Sequence, residues 1–113
     1  VNLEDLGRKL ESIMQDEKIY CDEDLTLKRL ADNLEVTSHQ LSEFINVKIG
    51  KSFKSFVNMY RVREAVSLIE LDENRNILDI AFSSGFNSKT AFYKIFTEET
   101  GITPAEYRKR QTK

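Results

Sequence analysis

Few side chains in this sequence are suited to catalysis or to metal binding. Its 113 residues include one histidine, His39, and one cysteine, Cys21. The sequence offers no serine–histidine–aspartate set, no cluster of metal ligands, no glycine-rich phosphate loop and no convincing carboxylate pair. We therefore expect neither an enzyme nor a chain that carries a cofactor or a metal ion.

Two segments instead carry hydrogen-bonding side chains at helical spacing. The first contains Ser38, His39, Ser42 and Glu43, and the second contains Lys89, Thr90, Tyr93 and Lys94. Residues three or four positions apart share one face of a helix. Hydroxyl, ammonium, imidazole and carboxylate groups on such a face are suited to recognising a polar surface.

Each polar segment lies in a predicted helix whose opposite face is apolar. Helical spacing of apolar residues predicts a first helix near residues 3–16, whose inward face carries Leu3, Leu6, Leu10, Ile13 and Met14. The same spacing predicts six more helices along the chain. Residues favoured at N-caps begin several of these helices, and Gly50, Gly85 and Gly101 end others. No convincing strand is found in the sequence, so the predicted fold class is all-α.

The helical pattern repeats after about 51 residues. Leu30-Ala31 corresponds to Ile80-Ala81, and Leu41, Phe44, Ile45 and Gly50 correspond to Phe92, Ile95, Phe96 and Gly101. Each block places a small residue where two helices cross and an apolar residue in the turn, Val36 or Phe86. This is the steric pattern of a helix-turn-helix, and the second turn is one residue longer.

These elements predict a single domain over residues 1–113. Residues 1–50 hold an N-terminal helix and the first helix-turn-helix, residues 51–71 a linker helix, and residues 76–113 the second helix-turn-helix and a C-terminal helix. A helix of about 20 residues spans about 30 Å. Successive major grooves on one face of DNA are about 34 Å apart. The repeat therefore favours two recognition helices in adjacent grooves.

The second block resembles the signature segment of the AraC/XylS family of transcription regulators. The matching stretches are Gly85-Phe86-Asn87-Ser88, Phe92-Tyr93-Lys94-Ile95-Phe96, Gly101-Ile102-Thr103-Pro104 and Tyr107-Arg108. The first block, with Leu41-Ser42-Glu43-Phe44, resembles the more variable first unit of that family, and Phe53 to Tyr60-Arg61 its linker helix. The resemblance implies sequence-specific binding of double-stranded DNA in bacterial transcription regulation.

The resemblance also implies partners and a location. Such domains usually follow an N-terminal sensing, dimerising or membrane-attached portion, and RNA polymerase is a further candidate partner. Val1 in place of an initiator methionine agrees with this expectation. A lone cysteine, with neither a signal peptide nor a long apolar run, fits a cytoplasmic protein.

The exposed residues in the first two turns of a recognition helix point into the groove. In the second unit Lys89, Thr90, Tyr93 and Lys94 match the positions where the family usually places base readers, and the first unit offers Ser38, His39, Ser42 and Glu43. Lysine can donate to guanine O6 and N7, and the Thr90 methyl can meet a thymine methyl. Contacts with the DNA backbone are expected from Lys48, Lys51, Ser52, Lys54 and Thr103.

Glu43 departs from the family, which often has a basic residue at this position. Its carboxylate can accept from cytosine N4, or it can repel phosphate and weaken the first unit. Residues 1–48 carry a net charge of −5 and residues 49–113 a net charge of +3, which favours the second interpretation. For the whole chain, the alternative is a protein-interaction module on the same scaffold with little affinity for DNA.

Three further side chains have both a structural and a DNA-binding interpretation. Tyr93 can contact a phosphate or pack on the linker helix. Arg61 and Arg63 can contact the DNA backbone or pair with Glu64 or Asp79. The sequence leaves these alternatives open.

Overall fold

The computed structural model describes residues 1–111, and the regular secondary structure in this range is entirely helical. The α-helices are α1 (Leu3–Gln15), α2 (Leu27–Asn33), α3 (Ser38–Phe44), α4 (Phe53–Leu71), α5 (Ile77–Ser83), α6 (Lys89–Thr100) and α7 (Pro104–Gln111). A 3₁₀ turn covers Ile19–Cys21, and a π-helical turn covers Ile45–Ile49. The prediction of an all-α fold with about seven helices is confirmed.

Side chains at the N-caps fix where most helices begin. Asn2 caps α1, because its Oδ1 accepts a hydrogen bond from the Asp5 amide at 3.1 Å. The side chains of Thr26, Thr37, Asn76 and Ser88 cap α2, α3, α5 and α6 in the same way. Each cap satisfies an amide that has no partner within its helix, so these starts follow from local sequence.

The chain divides into two compact units, and the division falls inside α4. Unit 1 comprises Val1–Val57, and unit 2 begins at Asn58. Each unit contains two helices joined by a tight turn, α2 and α3 in unit 1 and α5 and α6 in unit 2. The two units are therefore the structural counterparts of the two sequence blocks.

The core of unit 1 is mainly aliphatic. Leu10, Leu30, Leu41 and Ile45 are at most 2% exposed, as helical spacing predicts. Leu3 was also predicted to face inward, but it is 47% exposed. The prediction was wrong because Leu3 is the first residue of α1, one turn before the buried part of the helix begins.

The core of unit 2 is built around aromatic rings. Phe92 and Phe96 on α6 are fully buried, and Val62, Ala65 and Ile69 on α4 belong to the same cluster. Ring centroids are 5.2 Å apart for Phe86 and Phe92, 5.5 Å for Phe92 and Phe96, and 5.9 Å for Phe96 and Tyr107. These edge-to-face contacts tie α6 to the turn before it and to α7 after it.

Candidate nucleic-acid interface

The two turns are closed by the same backbone hydrogen bond. The Val36 amide donates to the Ala31 carbonyl at 3.0 Å, and the Phe86 amide donates to the Ala81 carbonyl at 3.0 Å. The residue before each donor has a positive φ, +59° at Glu35 and +104° at Gly85. Both alanines are at most 1% exposed, as a close helix crossing requires. The sequence repeat is thus also a repeat of backbone geometry.

The N-caps of α3 and α6 serve as a common reference point for comparing the second helices of the two units. Four residues after the cap, Leu41 and Phe92 are both fully buried. Six residues after the cap, Glu43 and Lys94 are both exposed. The two helices therefore present equivalent positions, and at this position their charges are opposite.

The four predicted base readers of unit 2 lie together on one side of α6. Lys89, Thr90 and Lys94 are exposed, whereas Tyr93 is half-buried and packs against the core. The Tyr93 ring meets Phe92 edge-on at 5.8 Å, and the Lys89 ammonium lies 5.5 Å from the Tyr93 centroid. The Tyr93 ring thus packs against the core and lies close to the Lys89 ammonium.

The four predicted readers of unit 1 also share one side of their helix, but their charges differ. Ser38 and Ser42 are half-buried, and the side chains of His39 and Glu43 are 86% and 65% exposed. His39 Nε2 lies 3.4 Å from Glu43 Oε2, one helical turn away. The exposed charge on this helix is therefore a carboxylate beside an imidazole, with no lysine or arginine.

The predicted backbone contacts fall into two groups. Lys48 precedes Gly50 in sequence, and Lys51 and Lys54 follow it. Gly50 ends the π-helical turn and has a φ of +79°. The hydroxyls of the other group are caps: Ser52 Oγ accepts from the Ser55 amide at 3.1 Å, and Thr103 Oγ1 accepts from the Glu106 amide at 3.1 Å. The lysines therefore place positive charge in and after the π-helical turn and in the first turn of α4, whereas these two hydroxyls hold helix ends.

Arg75, in the polar segment between α4 and α5, is held by two neighbouring side chains. Its Nε lies 2.8 Å from Asp79 Oδ2, and its Nη2 donates to Ser83 Oγ at 2.7 Å. Asp79 is thus paired with Arg75, and the Arg63 guanidinium lies 5.6 Å from the Tyr60 centroid. The spacing of four residues between Arg75 and Asp79 is the sequence signal that could have identified this pair.

Tyr107 connects α7 with the end of α4. Its hydroxyl donates a hydrogen bond to Glu70 Oε2 at 2.7 Å, across 37 positions of sequence. This hydrogen bond, together with burial and the charge of Glu70, raises the pKa of Tyr107 above its usual value of 10.0. The protonated phenol is therefore part of the folded structure.

A concavity in unit 2 lies beside the predicted base readers. It is lined by Asn76, Ile77, Leu78, Lys89, Tyr93 and Arg108. Arg108 belongs to the Tyr107-Arg108 motif, to which the sequence analysis assigned no role. Its Nη2 donates to the Asp72 carbonyl at 3.5 Å. No sequence pattern places Arg108 near Lys89, because their proximity depends on how α7 packs.

Neither a metal cluster nor a membrane-spanning helix is found in the part of the chain that the structure describes. In residues 1–111, no group of three or more His, Cys, Asp or Glu side chains is placed to hold a metal ion. Over the same residues, no helix combines the length and the apolar composition that crossing a bilayer requires.

Comparison with known proteins places these features in a family. Residues 30–110 match a helix-turn-helix domain family. The chain is 27% identical over 88 residues to the melibiose operon regulatory protein of Escherichia coli strain K12, covering 78% of this chain and 29% of that protein. It is 32% identical over 76 residues to the HTH-type transcriptional activator RhaR of Yersinia pseudotuberculosis, covering 67% of this chain and 26% of that protein.

A solved structure resembles most of the chain. It is the C-terminal domain of AraT, a response regulator from Geobacillus stearothermophilus, with a TM-score of 0.80 and 27% sequence identity. The match covers 94% of this chain and 84% of that one. The chain spans less than a third of the length of the two curated relatives, so it corresponds to one part of those proteins.

Proposed function

Because the chain belongs to the helix-turn-helix domain family of AraC-type transcription regulators, we propose that it reads a specific sequence in double-stranded DNA through α3 and α6. The family consists of DNA-binding regulators of transcription and not of enzymes. What goes beyond this family function is the use of two recognition helices and the identity of the residues that contact DNA.

The observation that carries the proposal is the repeated turn. The same 3.0 Å hydrogen bond closes the turn at Val36 and at Phe86. In both units a capped helix follows, with its first two turns carrying exposed polar side chains. A helix-turn-helix uses this part of its second helix to contact base edges in the major groove.

The length of α4 supports binding in adjacent grooves. This helix has 19 residues, which correspond to about 28 Å at 1.5 Å per residue. That distance is close to the roughly 34 Å between successive major grooves on one face of DNA. A single chain could then occupy a site that a symmetric dimer usually covers.

The exposed charges support unequal roles for the two recognition helices. Lys94 is a donor that suits guanine O6 and N7, and exposed Thr90 can contact a thymine methyl. At the position equivalent to Lys94, unit 1 has Glu43, a carboxylate that repels phosphate. We therefore assign most of the sequence discrimination to α6. Ser38, His39 and Ser42 on α3 add weaker contacts, and Lys48, Lys51 and Lys54 contribute charge toward the DNA backbone.

Salt dependence of DNA binding tests this function. The selected duplex carries the sequence that the protein retains from a random pool of duplexes. A scrambled duplex of equal length serves as the control. Filter binding at two salt concentrations should show an affinity that falls steeply with salt, since each phosphate contact adds about −0.9 to the logarithmic slope. A salt-independent affinity, or none, would favour the protein-interaction module instead.

Partners of the whole regulator are a separate proposal. The two curated relatives extend well beyond the matched segment, and their names describe regulators of operons or activators of transcription. By that likeness, a sensing, dimerising or membrane-attached portion and RNA polymerase are the partners to test. The interaction with RNA polymerase is tested by co-purification with the full-length regulator, in the presence and absence of the selected duplex.

A further inference from the structure

The concavity beside α6 brings two basic side chains together from different helices. Lys89 comes from the first turn of α6 and Arg108 from α7, and no carboxylate is among the six lining residues. The volume is about 450 Å³, against about 30 Å³ for one water molecule. The space is thus large enough and positive enough to take a hydrated anion.

Lys89 is held differently from Lys94. Its ammonium lies 5.5 Å from the Tyr93 centroid, within the roughly 6 Å over which a cation is attracted to an aromatic face. Tyr93 is itself held by the fully buried Phe92. Both lysines are exposed, but Lys89 lines the concavity and Lys94 does not.

The lining of the concavity also includes a guanidinium that contacts the backbone, that of Arg108. Arg108 is half-buried and holds the Asp72 carbonyl through Nη2 at 3.5 Å. A guanidinium has five N–H donors, so this contact is compatible with an additional one to an anion. The carboxylate nearest in sequence to the lining residues, Asp79, is bonded to Arg75 at 2.8 Å.

We propose that this concavity binds one phosphate group of the DNA backbone, with Lys89 and Arg108 as its charged donors. The inference rests on the proposed function and refines it. Lys89 then positions the protein on the duplex, in place of the base contact suggested by its place on the helix, and Lys94 reads the sequence. Free inorganic phosphate has the same chemistry and must be distinguished by experiment.

The test compares Lys89→Gln with the wild-type protein on selected and scrambled duplexes over a range of salt concentrations. A phosphate contact carries no sequence information. Lys89→Gln should therefore weaken binding to both duplexes by the same factor. It should also make the slope of log affinity against log salt concentration shallower by about 0.9, the value for one phosphate. Arg108→Gln should do the same, and Arg108→Lys should restore much of the slope.

Lys9→Gln is the matched control, because it removes one exposed positive charge from α1, outside the proposed DNA contacts. Its slope should stay at the wild-type value. If Lys89→Gln loses discrimination between the duplexes while keeping the full slope, Lys89 reads a base and the inference is wrong. An unchanged affinity and slope would also overturn it. A wild-type protein without salt-dependent DNA affinity would overturn the proposed function as well.

Inorganic phosphate provides the second arm of the test. Amide shifts of Leu78, Lys89 and Tyr93 are followed by NMR as phosphate replaces chloride at constant ionic strength. Saturable shifts that disappear in Lys89→Gln, combined with an unchanged DNA salt slope in that variant, would mean that the concavity takes free phosphate. That result would overturn the DNA assignment. Weak shifts together with a shallower DNA slope would support it.

Discussion

The two helix-turn-helix units share the hydrogen bond that closes their turns, but they differ in the residue at the turn, in the side chains of their cores and in the charge that they expose. Unit 1 closes its turn with Glu35 at φ +59° and packs mainly aliphatic side chains. Unit 2 closes its turn with Gly85 at φ +104° and packs a chain of aromatic rings. Six residues after the cap, α3 exposes Glu43 and α6 exposes Lys94.

This difference shows which features a helix-turn-helix requires and which it can vary. The small residue at the crossing, the 3.0 Å hydrogen bond and the buried residue four positions after the cap are common to both units. The turn residue, the kind of core and the exposed charge are not. We infer that the common features hold the second helix of each unit in place, and that the variable features set the stability of the unit and the charge that its second helix exposes.

The largest expected effect concerns the two kinds of core. Phe92→Ala should lower the free energy of unfolding by about 3–5 kcal/mol, because it removes a fully buried ring and leaves a cavity. Phe44→Ala should cost less than about 2 kcal/mol, because Phe44 is only half-buried. Guanidinium unfolding of both variants measures the difference. Equal costs would remove the distinction between the buried ring of unit 2 and the half-buried ring of unit 1.

The turn residues should respond in opposite directions. Gly85→Ala should destabilise the protein by at least about 1–2 kcal/mol, since an L-residue at φ +104° is strained. Glu35→Gly relieves a similar strain but makes the unfolded chain more flexible, at a cost of about 0.4–1 kcal/mol. The net stabilisation should therefore be about 0.5 kcal/mol. Thermal unfolding would contradict this account if Glu35→Gly were the more destabilising change.

Much of this architecture could be predicted from the sequence, because it depends on local signals. Caps such as Thr37 and Ser88, the apolar spacing and the repeat are all visible along the chain. Exceptions arise where tertiary packing decides. The approach of Arg108 to Lys89 depends on how α7 packs. Apolar spacing alone also does not show that Leu3 lies one turn before the buried part of α1, or that Ile45–Ile49 forms a π-helical turn.

A smaller effect should appear at high pH in unit 2. The pKa of Tyr107 is raised in the folded protein, so its hydrogen bond with Glu70 contributes stability below pH 10. This contribution is lost as the pH rises through the folded pKa. The difference in stability between wild type and Tyr107→Phe should thus be constant from pH 7 to pH 9 and shrink above pH 10. A difference that persists to pH 11 would argue against the bond.

The smallest expected effect distinguishes the two interpretations of Glu43. If its carboxylate only repels phosphate, Glu43→Gln should raise affinity for selected and scrambled duplexes alike, by about twofold, since exposed charges are screened. Glu11→Gln on α1 is the control for the loss of one negative charge. A loss of affinity confined to the selected duplex would instead show that Glu43 accepts from a base, as a carboxylate can from cytosine N4.

The proposed inequality of α3 and α6 in reading DNA is tested most directly by comparing Lys94→Ala with Ser42→Ala. The quantity to measure is the ratio of affinities for the selected and scrambled duplexes at one salt concentration. Loss of a base contact of about 1–3 kcal/mol should reduce this ratio roughly 5- to 150-fold in Lys94→Ala. Ser42→Ala should reduce it less. Equal losses, or a larger loss from Ser42→Ala, would contradict the proposal that unit 2 carries most of the sequence discrimination.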